Sequence, residues 1–156
     1  MFAILPLSDL KNTYNEQFAD TLAALLNIWL TANLQAHSFI PAAYWQEALP
    51  QVREELPQAE VYFLKDGGKL GGFIGLIPQA PAQSYIAGLF IAPDYQGQGL
   101  GKRLLDKAKE LYPSLTLQVY QKNSGACRFY LREGFRSVRQ QRDEATNEQE
   151  LKMLWP

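Results

Sequence analysis

Between Ser84 and Tyr120 the chain leaves itself little topological choice. Ser84–Ala92 is a largely apolar run stopped by Pro93-Asp94 and reads as a strand. Gln96–Lys102 is glycine-rich. From about Gly99 to Leu111 the spacing predicts a helix with Leu100, Leu104, Ala108 and Leu111 inward, ended before Pro113. Leu115–Tyr120 reads as another strand. A strand–helix–strand crossover within one sheet is right-handed and lays its two strands side by side and parallel.

The rest of the chain must fit around that unit. A short strand near Phe2–Leu7 leads to a helix from Tyr14 to Leu34, with Leu22, Leu25, Leu26 and Trp29 on one face. A second helix, from Pro41 to Leu56, aligns Trp45, Ala48, Leu49, Val52 and Leu56. Val61–Leu64 and Lys69–Ile77 flank the turn Asp66-Gly67-Gly68 and predict a hairpin, followed by a loop over Pro78–Pro81. Downstream, Gly125–Glu133 is a short helix stopped by Gly134, and Phe135–Arg142 with Gln149–Trp155 form a last antiparallel pair, with Asp143–Glu150 an acidic, solvated hairpin turn. The expectation is a mixed α/β (α+β) fold, a single domain over 1–156, whose central sheet is mostly antiparallel with one parallel pair.

The turn Gln96-Gly97-Gln98-Gly99-Leu100-Gly101-Lys102 opens a helix, where several backbone N–H groups lack intrahelical partners. Glycine lets a phosphate approach such donors, and the helix dipole favours the negative charge. A dinucleotide fingerprint would need glycine at position 102, which is Lys102. A nucleoside-triphosphate loop would need glycine at 96 and Ser or Thr at 103, which are Gln96 and Arg103. Both of those motifs fail. A pyrophosphate cradle and a plain helix-capping turn both stay open on the glycines alone.

Gln96–Gly101 matches the [QR]xxGx[GA] signature of the GNAT acetyltransferase superfamily, which the chain resembles. Leu89-Phe90-Ile91-Ala92-Pro93 is similar to that family's fourth strand, and Asn123-x-x-Ala126-x-x-Phe129-Tyr130-x-x-x-Gly134-Phe135 to its second motif. His37-x-Phe39-Ile40, Tyr44-Trp45 and Val119-Tyr120-Gln121-Lys122-Asn123 resemble the small bacterial YiaC/YjaB-type acetyltransferases. The resemblance implies acetyl-CoA as co-substrate, with its pantetheine arm between the splayed fourth and fifth strands. Amides near Phe90 and Ala92 would pair with that arm, and amides of Gln96, Gly97, Gln98, Gly99, Leu100 and Gly101 would hold the diphosphate, with Lys102 adding charge. Asn123 would touch the cofactor and Tyr130 would sit near its sulfur. The implied reaction is direct transfer of acetyl to a primary amine: a protein lysine, a protein N-terminus or a small amine. No metal is implied.

That reaction needs a neutral amine, a polarised carbonyl and a protonated leaving thiolate. A lysine amine with a pKa of about 10.4 is neutral only a few times in ten thousand at pH 7, a deficit of about 4.6 kcal/mol. The strand Tyr85–Phe90 offers no Asp or Glu as base. His37, the sole histidine, lies between the two helices expected to rim the acceptor side, and is the candidate to position or deprotonate the amine. Phe39 and Tyr85 are expected on the same side, Tyr85 by alternation with Ile86. Trp29 and Trp45 read as core, and Cys127 as a small apolar filler.

The formal net charge is -1 with a pI near 5.8, which gives no footprint for nucleic acid. One cysteine and one histidine cannot build a zinc site. The apolar opening Met1–Leu7 lacks the basic leader of a signal peptide and is too short to span a bilayer, so a cytoplasmic location is expected, as monomer or homodimer. The rival reading is a non-catalytic acyl-CoA-binding regulatory domain, which the missing strand carboxylate favours. A generic nucleotide-phosphate binder is the third.

Overall fold

The computed structural model describes residues 1–11 and 15–156, so the predicted helix start at Tyr14 lies outside the described residues. Seven strands form one sheet: β1 (Ala3–Pro6), β2 (Glu60–Asp66), β3 (Lys69–Ala80), β4 (Gln83–Ile91), β5 (Ser114–Tyr120), β6 (Arg136–Asp143) and β7 (Glu148–Trp155), in the order β1-β2-β3-β4-β5-β7-β6. All neighbours are antiparallel except β4 and β5. The helices are α1 (Ser8–Lys11), α2 (Asn15–Ala36), α3 (Ala42–Glu55), α4 (Leu100–Leu111) and α5 (Ser124–Arg132). This is the mixed α/β sheet, with its single parallel pair, that the sequence predicts.

Alternation along the strands divides the core into two layers. Phe63 and Phe73 face α2, where Leu25, Leu26 and Ile28 meet them. Leu64, Ile74, Ile86, Leu115 and Leu117 face the opposite way, against Leu100, Leu104, Leu105 and Ala108 of α4 and Tyr130 of α5. The sheet is thus a middle layer, with α2 and α3 on one side and α4 and α5 on the other.

Three local expectations are corrected. Leu111 is 38% exposed, not inward: it ends α4, and Leu105 fills the inner stripe in its place. Pro78–Pro81 is not all loop, because β3 continues to Ala80 and pairs with β4 through Pro78↔Ser84 and Ala80↔Gln83. Pro78 is tolerated there because β2 pairing has already ended at Glu60↔Leu76, so its missing N–H faces no partner strand. The four-residue α1 between β1 and α2 carries too little periodicity to be read from sequence.

The feature that shapes the site is where β4 and β5 part. They pair only over Gln83–Ile86 with Ser114–Leu117. Just beyond, the β3 register shifts: Leu76 pairs with Ile86 and Gly75 with Gly88, so Ala87 is an extra residue on β4. Such a bulge bends the strand that carries it, and here β4 diverges from β5. A Cβ at Gly88 would lie 2.3 Å from the Phe90 ring, so a larger residue at the bend would displace that ring.

Among the described residues, no helix is long and apolar enough to cross a membrane. Leu104 is fully buried between α4 and the sheet. Leu104→Ala is expected to lower stability by about 2–5 kcal/mol, read as a shift of the urea unfolding midpoint at unchanged slope.

Candidate active site

The parting strands open a cleft of about 440 Å³. Its walls are Tyr85 and Ala87–Ile91 of β4, Gln118–Tyr120 of β5, Asn33 and Ala36 of α2, and Asn123, Ala126 and Tyr130 around α5. His37, Trp29 and Trp45 close one side, and Asp143 and Glu150 line it from β6 and β7. Of the residues singled out in the sequence, Leu89, Phe90, Ile91, Gln96, Asn123, Ala126, Tyr130, His37 and Tyr85 meet here. Phe39 stands behind His37, edge-on to it at 5.7 Å and to Tyr120 at 5.9 Å.

The backbone along β4 differs from expectation. The Ala92 amide donates to the Gly71 carbonyl at 2.8 Å. Alternation then turns the polar groups of Phe90 and Ala92 toward β3, and those of Leu89 and Ile91 toward the gap. Leu89 and Ile91, not Phe90 and Ala92, therefore present amides to anything lying between the strands. The Ile91 carbonyl already accepts from Gln96 Nε2 at 3.1 Å, which also reaches Gln35 Oε1 at 3.1 Å.

The glycine turn follows directly. Gly97 and Gly99 take φ of 77° and 76°, and nothing lies within 4 Å of a Cβ added at either. Glycine is needed there for backbone conformation rather than for space. Gly99 is the N-cap of α4 and supplies no side-chain cap. The amides from Gly97 to Lys102 make no hydrogen bond to any described residue. They form a continuous run of unsatisfied donors at the positive end of a helix dipole. Lys102 is committed elsewhere: its ammonium pairs with Asp106 at 3.0 Å and Glu133 at 3.2 Å.

Tyr130 is 8% exposed, clasped edge-on by Phe129 at 5.1 Å and Phe135 at 5.4 Å. Burial raises its pKa well above the ordinary phenol value, with a smaller contribution from Tyr85. It is therefore a neutral phenol at physiological pH, with a proton to donate. Its hydroxyl has no hydrogen-bond partner among the described residues.

Asn123 ties the two sides of the cleft. Its Oδ1 accepts from the Ala126 amide at 3.2 Å, capping α5. That fixes its Nδ2 as the donor to His37 Nε2, 3.1 Å away. His37 Nε2 is then an acceptor and the ring proton sits on Nδ1, which is buried without a partner. The ring stacks on Trp45 at 5.2 Å. Burial lowers the His37 pKa from 6.5 to about 4, so the ring is neutral at pH 7, and its one basic nitrogen is already taken up by Asn123.

Three readings of the sequence change here. Trp29 and Trp45 pack together at 5.8 Å as expected of core residues, yet both also face the cleft. Asp143 and Glu150 are not part of a merely solvated turn: they are strand residues that end on the cleft, and the turn proper lies between them. Tyr120, given only as part of a motif, bonds Asp143 Oδ2 through its hydroxyl at 2.6 Å. Their separation in sequence hid them, because only the β5–β7–β6 register brings these residues together.

His37 also predicts a pH effect. The unfolded chain binds a proton near 6.5 that the folded ring refuses down to about 4. Stability should therefore fall as pH drops through that window and be unaffected above it. His37→Gln, which keeps an acceptor for Asn123, is expected to flatten this part of the Tm-versus-pH curve.

Residues 22–135 match the family model described as "Acetyltransferase (GNAT) family". The chain is 35% identical over 136 residues to the peptidyl-lysine N-acetyltransferase YiaC of Escherichia coli K12, covering 86% of this chain and 90% of that one. It is 34% identical over 113 residues to the peptidyl-lysine N-acetyltransferase YjaB of Salmonella typhimurium, covering 72% and 74%. The solution structure of apo YjaB from Escherichia coli superposes with a TM-score of 0.77 at 26% identity, over 99% of this chain and 97% of that one. The PaiA N-acetyltransferase of Thermoplasma acidophilum, solved with coenzyme A, shares the fold with a TM-score of 0.76 at 19% identity, over 97% and 98%. With its parted strands, its free amide run and these relatives, the chain belongs to the GNAT acetyltransferase family.

Proposed function

We propose that this enzyme transfers acetyl from acetyl-CoA directly to a primary amine, with a protein lysine side chain as the foremost acceptor. The observation that carries the reading is the run of unsatisfied amides from Gly97 to Lys102 at the end of the β4–β5 gap. A diphosphate bound there leaves the rest of the coenzyme one route, along the gap past the Leu89 and Ile91 amides. Its thioester then meets Tyr130. The lysine acceptor is supported by the names of YiaC and YjaB. A cytoplasmic setting fits the single cysteine and a coenzyme A donor.

In this reading the amine nitrogen attacks the thioester carbonyl and a tetrahedral oxyanion forms. A backbone amide of β4 that faces the gap meets it, and one such donor is worth about 3–4 kcal/mol. The C–S bond breaks, and the departing thiolate takes the phenol proton of Tyr130. The nitrogen gives up its proton as the amide forms, and Tyr130 is reprotonated. His37, neutral and fixed by Asn123, shapes the acceptor side rather than accepting the proton.

Tyr130→Phe is expected to lower the single-turnover acetylation rate by about 10²-fold while acetyl-CoA affinity is little changed. An unaltered rate would remove Tyr130 from the mechanism. Gly99→Val places a β-branched residue at a φ of 76°, a strain of about 1–2 kcal/mol. Its relief would disturb the amide run, so coenzyme A affinity measured by calorimetry should fall about tenfold. Thiol release from acetyl-CoA with a panel of amines separates this enzyme from a binding-only domain: release above background with none of them would refute the transfer reaction.

A further inference from the structure

The transfer reaction leaves its base unassigned. β4 brings no carboxylate to the cleft, and the one basic nitrogen of His37 is taken up by Asn123 while the other is buried. Two carboxylates do line the cleft, Asp143 and Glu150. Asp143 is engaged at both oxygens: Oδ2 accepts from Tyr120 at 2.6 Å and Oδ1 from the Ala145 amide at 3.0 Å. Glu150 is held at one oxygen only, Oε1, by Gln141 Nε2 at 2.8 Å. Among the described residues neither carboxylate forms an ion pair. Tyr130, unpartnered and more than nine-tenths buried, lines the same cleft.

The groups directly opposite Glu150 are neutral or acidic. β5 sets Tyr120 directly opposite it, and β6 sets Gln141 there, with Asp143 beyond. β4 contributes Tyr85, whose hydroxyl donates to Gln118 at 3.3 Å, and α3 contributes Tyr44. Lys152 of β7 and Arg139 of β6 face each other one step along the ladder on the same side of the sheet, and neither forms an ion pair with Glu150. After burial itself, the Glu150 charge is the next influence raising the Tyr85 phenol. A flexible apolar stem lying between Tyr85 and Tyr120 would carry a terminal ammonium to a negative charge without an ion-pair partner among the described residues.

We propose that Glu150 receives the acceptor as an ammonium and takes its first proton, so that the substrate class is a cationic primary amine on an extended alkyl stem. This rests on the transfer reaction proposed above. The carboxylate Oε2 accepts one proton from R–NH3⁺, directly or through one water, leaving R–NH2. The nitrogen lone pair forms the C–N bond and the C–S bond breaks. The second nitrogen proton replaces the one that Tyr130 gives the thiolate, and Glu150 releases its proton to solvent. The sum is R–NH3⁺ plus thioester giving amide, free thiol and H⁺.

The test uses the fastest acceptor found in a panel of single-lysine peptides and alkylamines. In E150Q, kcat/KM at pH 7.5 should fall about 10²-fold, with acetyl-CoA affinity unchanged. As pH approaches the amine's own pKa of about 10.4, the base becomes dispensable and the deficit should shrink to about threefold or less. E150D, which restores the charge, should recover part of the loss. A wild-type kcat/KM in E150Q, or a loss equal at all pH values, would overturn the role of Glu150 while leaving the transferase intact. A wild type that binds acetyl-CoA but acetylates no amine would instead overturn the transfer reaction, and this inference with it.

Discussion

Everything in this molecule that bears on chemistry follows from one broken partnership. β4 and β5 are parallel neighbours for only Gln83–Ile86 and Ser114–Leu117, and then separate. The extra residue Ala87 bends β4 away, while β4 keeps its ladder with β3 on the other side. Strand polar groups ordinarily satisfy one another within a sheet. Here Leu89 and Ile91 present theirs to a cleft, which gives an extended ligand the place of a missing strand. The two core layers hold the bend: Phe73 and Phe90 pack at 5.3 Å on one face, and Ile74 and Ile86 meet α4 on the other.

Local chemistry made much of this legible. The crossover from Ser84 to Tyr120, the helix-opening glycines and the stop at Gly134 all act within a few residues, so the sequence carries them openly. The parallel pair follows from the handedness of the crossover. What stayed hidden depended on distant register. Whether the Phe90 or the Leu89 amide faces the gap is decided by the Ala92–Gly71 bond, across two strands. The acidic residues near the end of the chain read as solvated because nothing local shows that β7 inserts between β5 and β6. Lys102 read as added charge beside the diphosphate, and its pairing with Glu133, a strand and a helix further on, was not visible locally.

Electrostatically the cleft has two ends of opposite character. One is a set of unshared amides at the start of α4, suited to an anion. The other holds Asp143 and Glu150 without a cation of their own, among phenols that burial keeps protonated. Tyr130 stands among the residues that line the cleft between them. An anionic coenzyme and a cationic acceptor would therefore enter with their charges already sorted.

Asn123 has a divided allegiance that reaches beyond its own contacts. One end of its amide holds the first turn of α5, the helix bearing Tyr130, and the other holds the imidazole that forms the far wall. Whatever pushes His37 aside also tugs on the cap of the helix that bears Tyr130, so the two opposite walls of the cleft share a single hinge pin.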